Sequence, residues 1–185
     1  MTNHTETTNK HIMICGKRHV GKTTLIKKLL AEGDYNLGGF FTKSIVVDDS
    51  GFHQIYIHPA SQPEDKRVYL DSNKIGSCNT KIHNVNSDVF DEEGVRLLSD
   101  ISSCNLIIMD ELGFMEKDSP QFMARVLELL EGDITVLGCI KNRTDIPFLN
   151  EIRKCSKVKV FDIDEDNRDD LFIEIRDMLT KMVDA

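Results

Sequence analysis

The chain has 185 residues, of which 40% are hydrophobic and 29% charged, a composition typical of a soluble globular protein with one domain. Its 23 basic and 31 acidic residues give a net charge of -8, which argues against generic nucleic-acid binding. No apolar run approaches the roughly 18 residues of a membrane span, and the polar start has no apolar stretch for a signal peptide. We therefore expect a cytoplasmic protein with no membrane partner, with a flexible polar leader over residues 1–10 and a single domain over residues 11–185.

The first part of the chain predicts a strand, a glycine loop and a helix in immediate succession. His11–Cys15 is a short apolar run typical of a buried strand, and the apolar residues from Lys22 to Glu32 fall on one face of a helix. Two β-rich runs then predict a hairpin over residues 38–58 that turns around residues 49–51. The polar stretch from Pro59 to His83 predicts a loop with one short strand.

The second half of the chain alternates helix and strand. Helices are predicted over residues 87–101, 119–132, 146–154 and 167–183, and strands over residues 105–109, 134–140 and 158–161. This alternation implies right-handed crossovers and a parallel sheet with helices on both faces. The predicted fold is therefore a three-layer α/β domain with a mainly parallel sheet, in which the hairpin is an insertion or an antiparallel edge.

A complete phosphate-loop pattern lies between the first strand and the first helix. Gly16–Thr23 spells G-K-R-H-V-G-K-T and matches G-x-x-x-x-G-K-[ST], the Walker A motif. Its glycines let backbone N–H groups approach phosphate oxygens, and the N-terminus of the helix favours the anion. Lys22 would reach the β- and γ-phosphates, and the Thr23 hydroxyl would bind Mg²⁺. The predicted phosphate-binding residues are Gly16, Lys17, Arg18, His19, Val20, Gly21, Lys22, Thr23 and Thr24.

A second motif is the acidic end of the strand that follows residue 105. Leu106–Glu111 spells L-I-I-M-D-E, which is typical of a buried parallel strand that delivers carboxylates to the ligand-binding edge of a sheet (Walker B). Asp110 would hold Mg²⁺, and Glu111 would orient and deprotonate the attacking water. Glu116 is either a second acid near the metal or a solvated loop residue.

Several stretches together resemble the small P-loop nucleoside-triphosphatases of archaea, bacteria and vertebrates, also called cancer-related nucleoside-triphosphatases. The loop GKRHVGKTTL is similar to that family's GxPGVGKTTL, and DEDNRDDL is similar to its E-N-R-D-x-L stretch. The most specific similarity is between MDELGFMEKDSPQF and the family's D-E-I-G-x-M-E-x-x-S-x-x-F block. The chain departs from the family at Lys17–His19, where small residues and proline are usual, and at Phe114, where lysine is frequent.

This resemblance implies a P-loop NTPase fold and Mg²⁺-dependent hydrolysis of nucleoside triphosphates, including ATP and GTP, with broad base tolerance. For this reaction, the two motifs predict Lys22 and Glu111 as catalytic residues and Thr23 and Asp110 as Mg²⁺ ligands. The resemblance also implies nucleotide contacts at the phosphate loop and along the acidic strand, at Leu106, Ile107, Ile108, Met109, Asp110, Glu111, Leu112 and Gly113.

The sequence leaves two rival activities open. In a GTP switch, Asn142–Asp145 would correspond to the guanine-binding N-K-x-D, although only one predicted helix and one strand separate this segment from Asp110. In a small-molecule or nucleotide kinase, Glu111 would be the base for a substrate hydroxyl and residues 59–83 would form the acceptor lid. That stretch offers only Arg67 and a few lysines, whereas such lids usually carry several arginines.

The cation that stabilises a transferring γ-phosphate is not assigned by the sequence. An arginine finger can raise the rate by about 10³–10⁵. Arg143 and Arg168 are the candidates, and a protein activator that supplies the charge in trans is the alternative.

Overall fold

The computed structural model describes residues 9–49, 51–79 and 83–184, and within these ranges it has one eight-stranded sheet with helices on both faces. Of the leader predicted over residues 1–10, only Asn9 and Lys10 are described, and the rest lies outside the described residues. The strands are β1 (His11–Gly16), β2 (Leu37–Val46), β3 (His53–Pro59), β4 (Lys74–Cys78), β5 (His83–Val85), β6 (Leu106–Leu112), β7 (Thr135–Lys141) and β8 (Val158–Ile163). The helices are α1 (Lys22–Leu30), α2 (Ser87–Val89), α3 (Val95–Ser99), α4 (Pro120–Glu131), α5 (Pro147–Lys154) and α6 (Arg168–Val183). No helix within the described ranges has both the length and the apolar character needed to cross a membrane.

The strand order is β5-β4-β3-β2-β6-β7-β1-β8. Strands β2, β6, β7, β1 and β8 pair in parallel, which confirms the mainly parallel sheet. Strand β2 is also antiparallel to β3, so the first strand of the predicted hairpin belongs to the parallel sheet, and β3, β4 and β5 form the antiparallel edge. Gly39 makes the close pairing of β2 with β6 possible, because it has a φ of 82° and an added Cβ would lie 2.1 Å from the Ile108 carbonyl oxygen.

Two hydrophobic cores cover the two faces of the sheet. Alternate residues of β1 point to opposite sides, so Ile12 and Ile14 join the core under α1 and α6, whereas Met13 and Cys15 join the core under α3, α4 and α5. In the second core, the ring of Phe122 lies 5.6 Å from that of Phe40 and 5.2 Å from that of Phe90. These layers confirm the predicted three-layer arrangement.

Some predicted boundaries differ from those of the structure. The stretch from 59 to 83 contains two short 3₁₀ turns, all of β4 and the first residue of β5. The helix predicted over 87–101 is interrupted by a π-helical turn at Phe90–Gly94 and ends at Ser99, and its N-cap is Asn86. Strands β4 and β5 were hard to predict because they are only five and three residues long, so their periodicity is weak.

Candidate functional site

The loop between β1 and α1 has the geometry of a phosphate cradle. It connects the C-terminal end of a buried strand, Gly16, to the first turn of a helix, Lys22. Gly21 precedes the helix with a φ of 99°, and an added Cβ there would lie 3.2 Å from the Arg168 guanidinium. His19 is also left-handed, with a φ of 65°, a conformation that costs a residue with a Cβ about 1 kcal/mol or more. The backbone therefore turns tightly enough to direct its N–H groups at an anion.

The Lys22 side chain lies over this loop, and only 7% of it is exposed. Its ammonium donates hydrogen bonds to the carbonyl oxygens of Gly16, at 3.0 Å, and Lys17, at 3.1 Å. It also lies 3.4 Å from the carboxylate of Glu111. The loop lysine and the second acid of β6 thus meet at one point above the end of the sheet.

Asp110 is buried beside the start of α1. Its side chain is 1% exposed, and burial raises the pKa of its carboxyl to about 6 against the opposing effect of the Thr23 hydroxyl and the Cys139 thiol. One carboxylate oxygen, Oδ1, has no hydrogen-bond partner in the described part of the chain. An unsatisfied carboxylate oxygen beside a hydroxyl fits a hard cation such as Mg²⁺.

The protein groups at this point would supply only part of a metal's coordination. Among the described residues, no cluster of three or more His, Cys, Asp or Glu side chains could hold a metal ion. Mg²⁺ is usually bound by one or two protein groups together with substrate phosphates and water. Thr23 and Asp110 therefore match a metal that arrives with its nucleotide.

A cleft of about 810 Å³ opens over these groups. Its walls come from the phosphate loop, from β2 to β5, from the residues that end and follow β6, and from the residues that end and follow β7. Of the predicted residues, Gly16, Lys17, Arg18, His19, Gly21, Lys22, Thr23, Thr24, Glu111 and Gly113 line it. The remaining predicted residues are buried. Four of them are 0% exposed and hold β6 in the core beneath the cleft, namely Leu106, Ile107, Ile108 and Met109. The others are Val20, Asp110 and Leu112.

Glu116 is not a solvated loop residue, and that alternative is wrong. Its side chain is 3% exposed, and Oε2 accepts a hydrogen bond from the backbone N–H of Gly113 at 3.0 Å. Burial raises the pKa of its carboxyl to about 7. Glu116 therefore braces the turn that follows β6, next to Glu111.

The segments required by the two rival activities reach this cleft only in part. In the segment Asn142–Asp145, Asn142 and Arg143 line the cleft, whereas Asp145 does not, and its carboxylate is paired with the Arg143 guanidinium at 2.7 and 2.5 Å. Of the predicted lid over residues 59–83, the described residues 59–73 do not line the cleft, whereas Ile75, Ser77, Cys78 and His83 do. Glu64 pairs with Lys27 of α1 at 2.6 Å and with Lys43 of β2 at 2.9 Å, which ties the first part of this segment to α1 and β2.

Several cleft residues were missed by the sequence reasoning, namely Thr42, Ser44, Ser77, Asn84 and Lys141. Thr42 and Ser44 come from β2, and Ser77 and Asn84 come from the antiparallel edge, so their approach to the loop depends on long-range pairing. Lys141 had a usable signal, because it is the first charged residue after the apolar run of β7, as Asp110 is in β6.

The mainly parallel sheet with helices on both faces, and the glycine loop that joins β1 to α1 beside the buried acidic end of β6, define the fold of this protein as that of the P-loop NTPases. A family model described as NTPase matches residues 11–176, so the chain belongs to that NTPase family.

Curated relatives and solved structures agree with this assignment. The chain is 35% identical over 165 residues to nucleoside-triphosphatase THEP1 of Thermotoga petrophila, covering 89% of each chain. It is 31% identical over 180 residues to the cancer-related nucleoside-triphosphatase homolog of Mus musculus, covering 90% of this chain and 95% of that protein. The crystal structure of THEP1 from Aquifex aeolicus is similar with a TM-score of 0.67 at 26% identity, covering 91% of this chain and 98% of that one.

Proposed function

We propose that this protein hydrolyses nucleoside triphosphates to nucleoside diphosphate and phosphate in a Mg²⁺-dependent reaction, with broad tolerance for the base. The proposal depends above all on one observation, the contact between Lys22 and Glu111 over the phosphate loop, with the unsatisfied oxygen of the buried Asp110 close to both. The names of the relatives support the same activity. The cytoplasmic location expected from the sequence stays a prediction.

The phosphate loop binds and orients the triphosphate. Its N–H groups and the N-terminus of α1 hold the phosphates, and the Lys22 ammonium exchanges its bonds to two backbone carbonyls for bonds to phosphate oxygens. Thr23 and Asp110 would hold Mg²⁺, which when bound neutralises charge on the β- and γ-phosphates. The core packing of β6 fixes Asp110, so the site is preorganised before the substrate arrives.

Glu111 acts as the general base. Its carboxylate lines the cleft beside Lys22, on the side where the γ-phosphate would lie, and it accepts a proton from the attacking water. The water oxygen bonds to the γ-phosphorus while the bond from that phosphorus to the β-bridging oxygen breaks. The Lys22 ammonium lies next to Glu111 and would also contact the phosphates, so it positions the base close to the γ-phosphate.

The test is phosphate release by the purified protein with Mg²⁺ and each of ATP, GTP, CTP and UTP. Glu111→Gln should keep nucleotide binding and reduce turnover by about 10²–10⁴-fold, because it removes the base and leaves the loop intact. Lys22→Ala should abolish binding. Glu128→Gln, a change of the same kind at an exposed site on α4, is the matched control and should turn over like the wild type.

The alternatives give different results in the same assay. Hydrolysis of GTP alone would favour the switch and give Asp145 a role. Tight nucleotide binding with no phosphate release from any triphosphate would favour a kinase that lacks its acceptor. Unchanged turnover in Glu111→Gln would contradict the assigned base.

A further inference from the structure

We propose that Lys141 is a second catalytic cation, which contacts the γ-phosphate and supplies within this chain the charge that an arginine finger brings in other P-loop enzymes. The inference rests on the proposed hydrolysis and adds a residue to its machinery. Neither the phosphate-loop pattern nor the acidic strand end includes this lysine.

The topology brings Lys141 to the reacting end of the site. Strand β7 lies between β1, which carries the phosphate loop, and β6, which carries the acids. Lys141 is the last residue of β7 and is paired in register with Gly16, the first residue of the loop. It lines the same cleft as Lys22 and Glu111. The three strand ends thus present a loop, a base and a cation side by side.

The side chain of Lys141 extends along the turn that follows Glu111. A Cβ added to Gly113 would lie 2.9 Å from Cδ and 3.1 Å from Cε of Lys141, so the absence of a side chain at position 113 leaves room for the lysine stem. The ammonium lies 4.6 Å from the centroid of the Phe114 ring, in a cation–π contact. Gly113 and Phe114, in the turn held by the Glu116 carboxylate, therefore position the Lys141 side chain along the wall of the cleft.

The charge of this ammonium is not neutralised by a direct carboxylate contact. Within the described ranges, Lys141 forms no ion pair within 4.0 Å. The nearby Glu116 carboxyl is affected by the lysine charge but is bonded to the Gly113 N–H. Because a cation–π contact leaves the positive charge in place, the ammonium can bond to a phosphate oxygen.

The two arginines considered from the sequence are engaged by other groups. Arg143 lines the cleft, but its charge is neutralised by a two-bond pair with Asp145. Arg168 donates to the Val20 carbonyl oxygen at 3.3 Å and does not line the cleft. Arg168 therefore supports the loop from outside. Lys141 instead lies at the end of β7, between the strand that carries the loop and the strand that carries the acids.

In the reaction, Lys141 keeps its proton and contributes only charge. The water oxygen forms a bond to the γ-phosphorus, the bond from that phosphorus to the β-bridging oxygen breaks, and its electron pair leaves with the diphosphate. A cation at the γ-phosphoryl oxygens favours the transition state more than the bound substrate, so it acts on kcat.

The first test compares Lys141→Met with the wild type. Methionine keeps the length and apolar stem of the side chain, so the fold should be retained, which thermal unfolding checks. We expect kcat to fall by about 10²–10³-fold with nucleoside diphosphate affinity unchanged, as for the loss of one transition-state contact. Lys141→Arg should keep most of the rate. Lys117→Met, on the exposed turn after Phe114, is the matched control and should behave as the wild type. A Lys141→Met protein with wild-type kcat would overturn the inference.

A second readout does not depend on turnover. Nucleoside diphosphate with Mg²⁺ and aluminium fluoride mimics the transferring phosphoryl group, and Lys141→Met should fail to trap this complex while it still binds the diphosphate. Adding Phe114→Lys to Lys141→Met places an ammonium at the neighbouring position and should restore trapping in part. Trapping equal to that of the wild type in Lys141→Met would refute the role.

The two proposals fail in distinguishable ways. If wild type and Glu111→Gln both release no phosphate, the proposed hydrolysis fails and the trapping readout still decides the role of Lys141. If Glu111→Gln is inactive while Lys141→Met is fully active, the hydrolysis stands and only the inference about Lys141 is wrong.

Discussion

Replacing Glu116 by glutamine should stabilise the nucleotide-free protein at neutral and alkaline pH. The carboxyl is buried and its pKa is raised to about 7, whereas in the unfolded chain it is near 4.5. The folded state therefore holds a proton that the unfolded state loses as pH rises from 4.5 to 7, so the free energy of unfolding falls across this window. The difference amounts to about 3 kcal/mol at most. Glutamine is neutral at every pH and keeps an oxygen that can accept the Gly113 N–H.

The assay is urea unfolding of both proteins in buffer containing a metal chelator, at several pH values from below to above this window. The two should have similar stability at the acid end, and Glu116→Gln should be more stable by up to about 3 kcal/mol at the alkaline end. Asp110 titrates in both proteins, so its contribution cancels in the difference. Glu128→Gln, at an exposed position, should follow the wild type. Parallel stability curves for wild type and Glu116→Gln would refute the argument from burial.

Three further predictions concern the fold and the base preference. Gly39→Ala should prevent proper pairing of β2 with β6, because the added Cβ would lie 2.1 Å from the Ile108 carbonyl oxygen. A lower soluble yield and a lower melting temperature would report this loss. Gly51→Ala is the control, because Gly51 is also left-handed but has nothing within 4 Å of an added Cβ, and it should lower the free energy of unfolding by only about 1 kcal/mol. Phe122→Ala should lower the free energy of unfolding by about 3–5 kcal/mol in urea titrations, since this ring is 0% exposed. Asp145→Asn should leave the ratio of GTP to ATP hydrolysis unchanged, and a selective loss of GTP turnover would contradict the assignment of this carboxylate to Arg143.

The parts of the site that are contiguous in the chain could be predicted from the sequence. A strand, a glycine loop and a helix follow one another from His11, and local backbone geometry makes such a loop a phosphate cradle wherever the rest of the chain lies. The end of β6 was predictable for a similar reason, since an apolar run followed by acids identifies the edge of a parallel sheet.

Features set by long-range pairing were out of reach. Strand β2 has two partners, β6 and β3, and nothing within Leu37–Val46 specifies that one is parallel and the other antiparallel. The burial of Glu116 arises only when the turn after β6 closes over the sheet, so an acid in a polar segment was equally compatible with exposure. The proximity of Lys141 to the loop depends on the insertion of β7 beside β1, which the order of elements along the chain does not reveal.

The place of β1 in the sheet has a consequence for the synthesis of this protein on the ribosome. Its neighbours are β7 and β8, at residues 135–141 and 158–163, so the strand that carries the phosphate loop is made long before either of its partners. A nascent chain that stops before Val158 has the whole loop sequence but lacks one side of the support for its strand. Nucleotide affinity should therefore emerge only after β8 has been made, and a bound nucleotide marks a chain in which β1 has already paired with both of its neighbours.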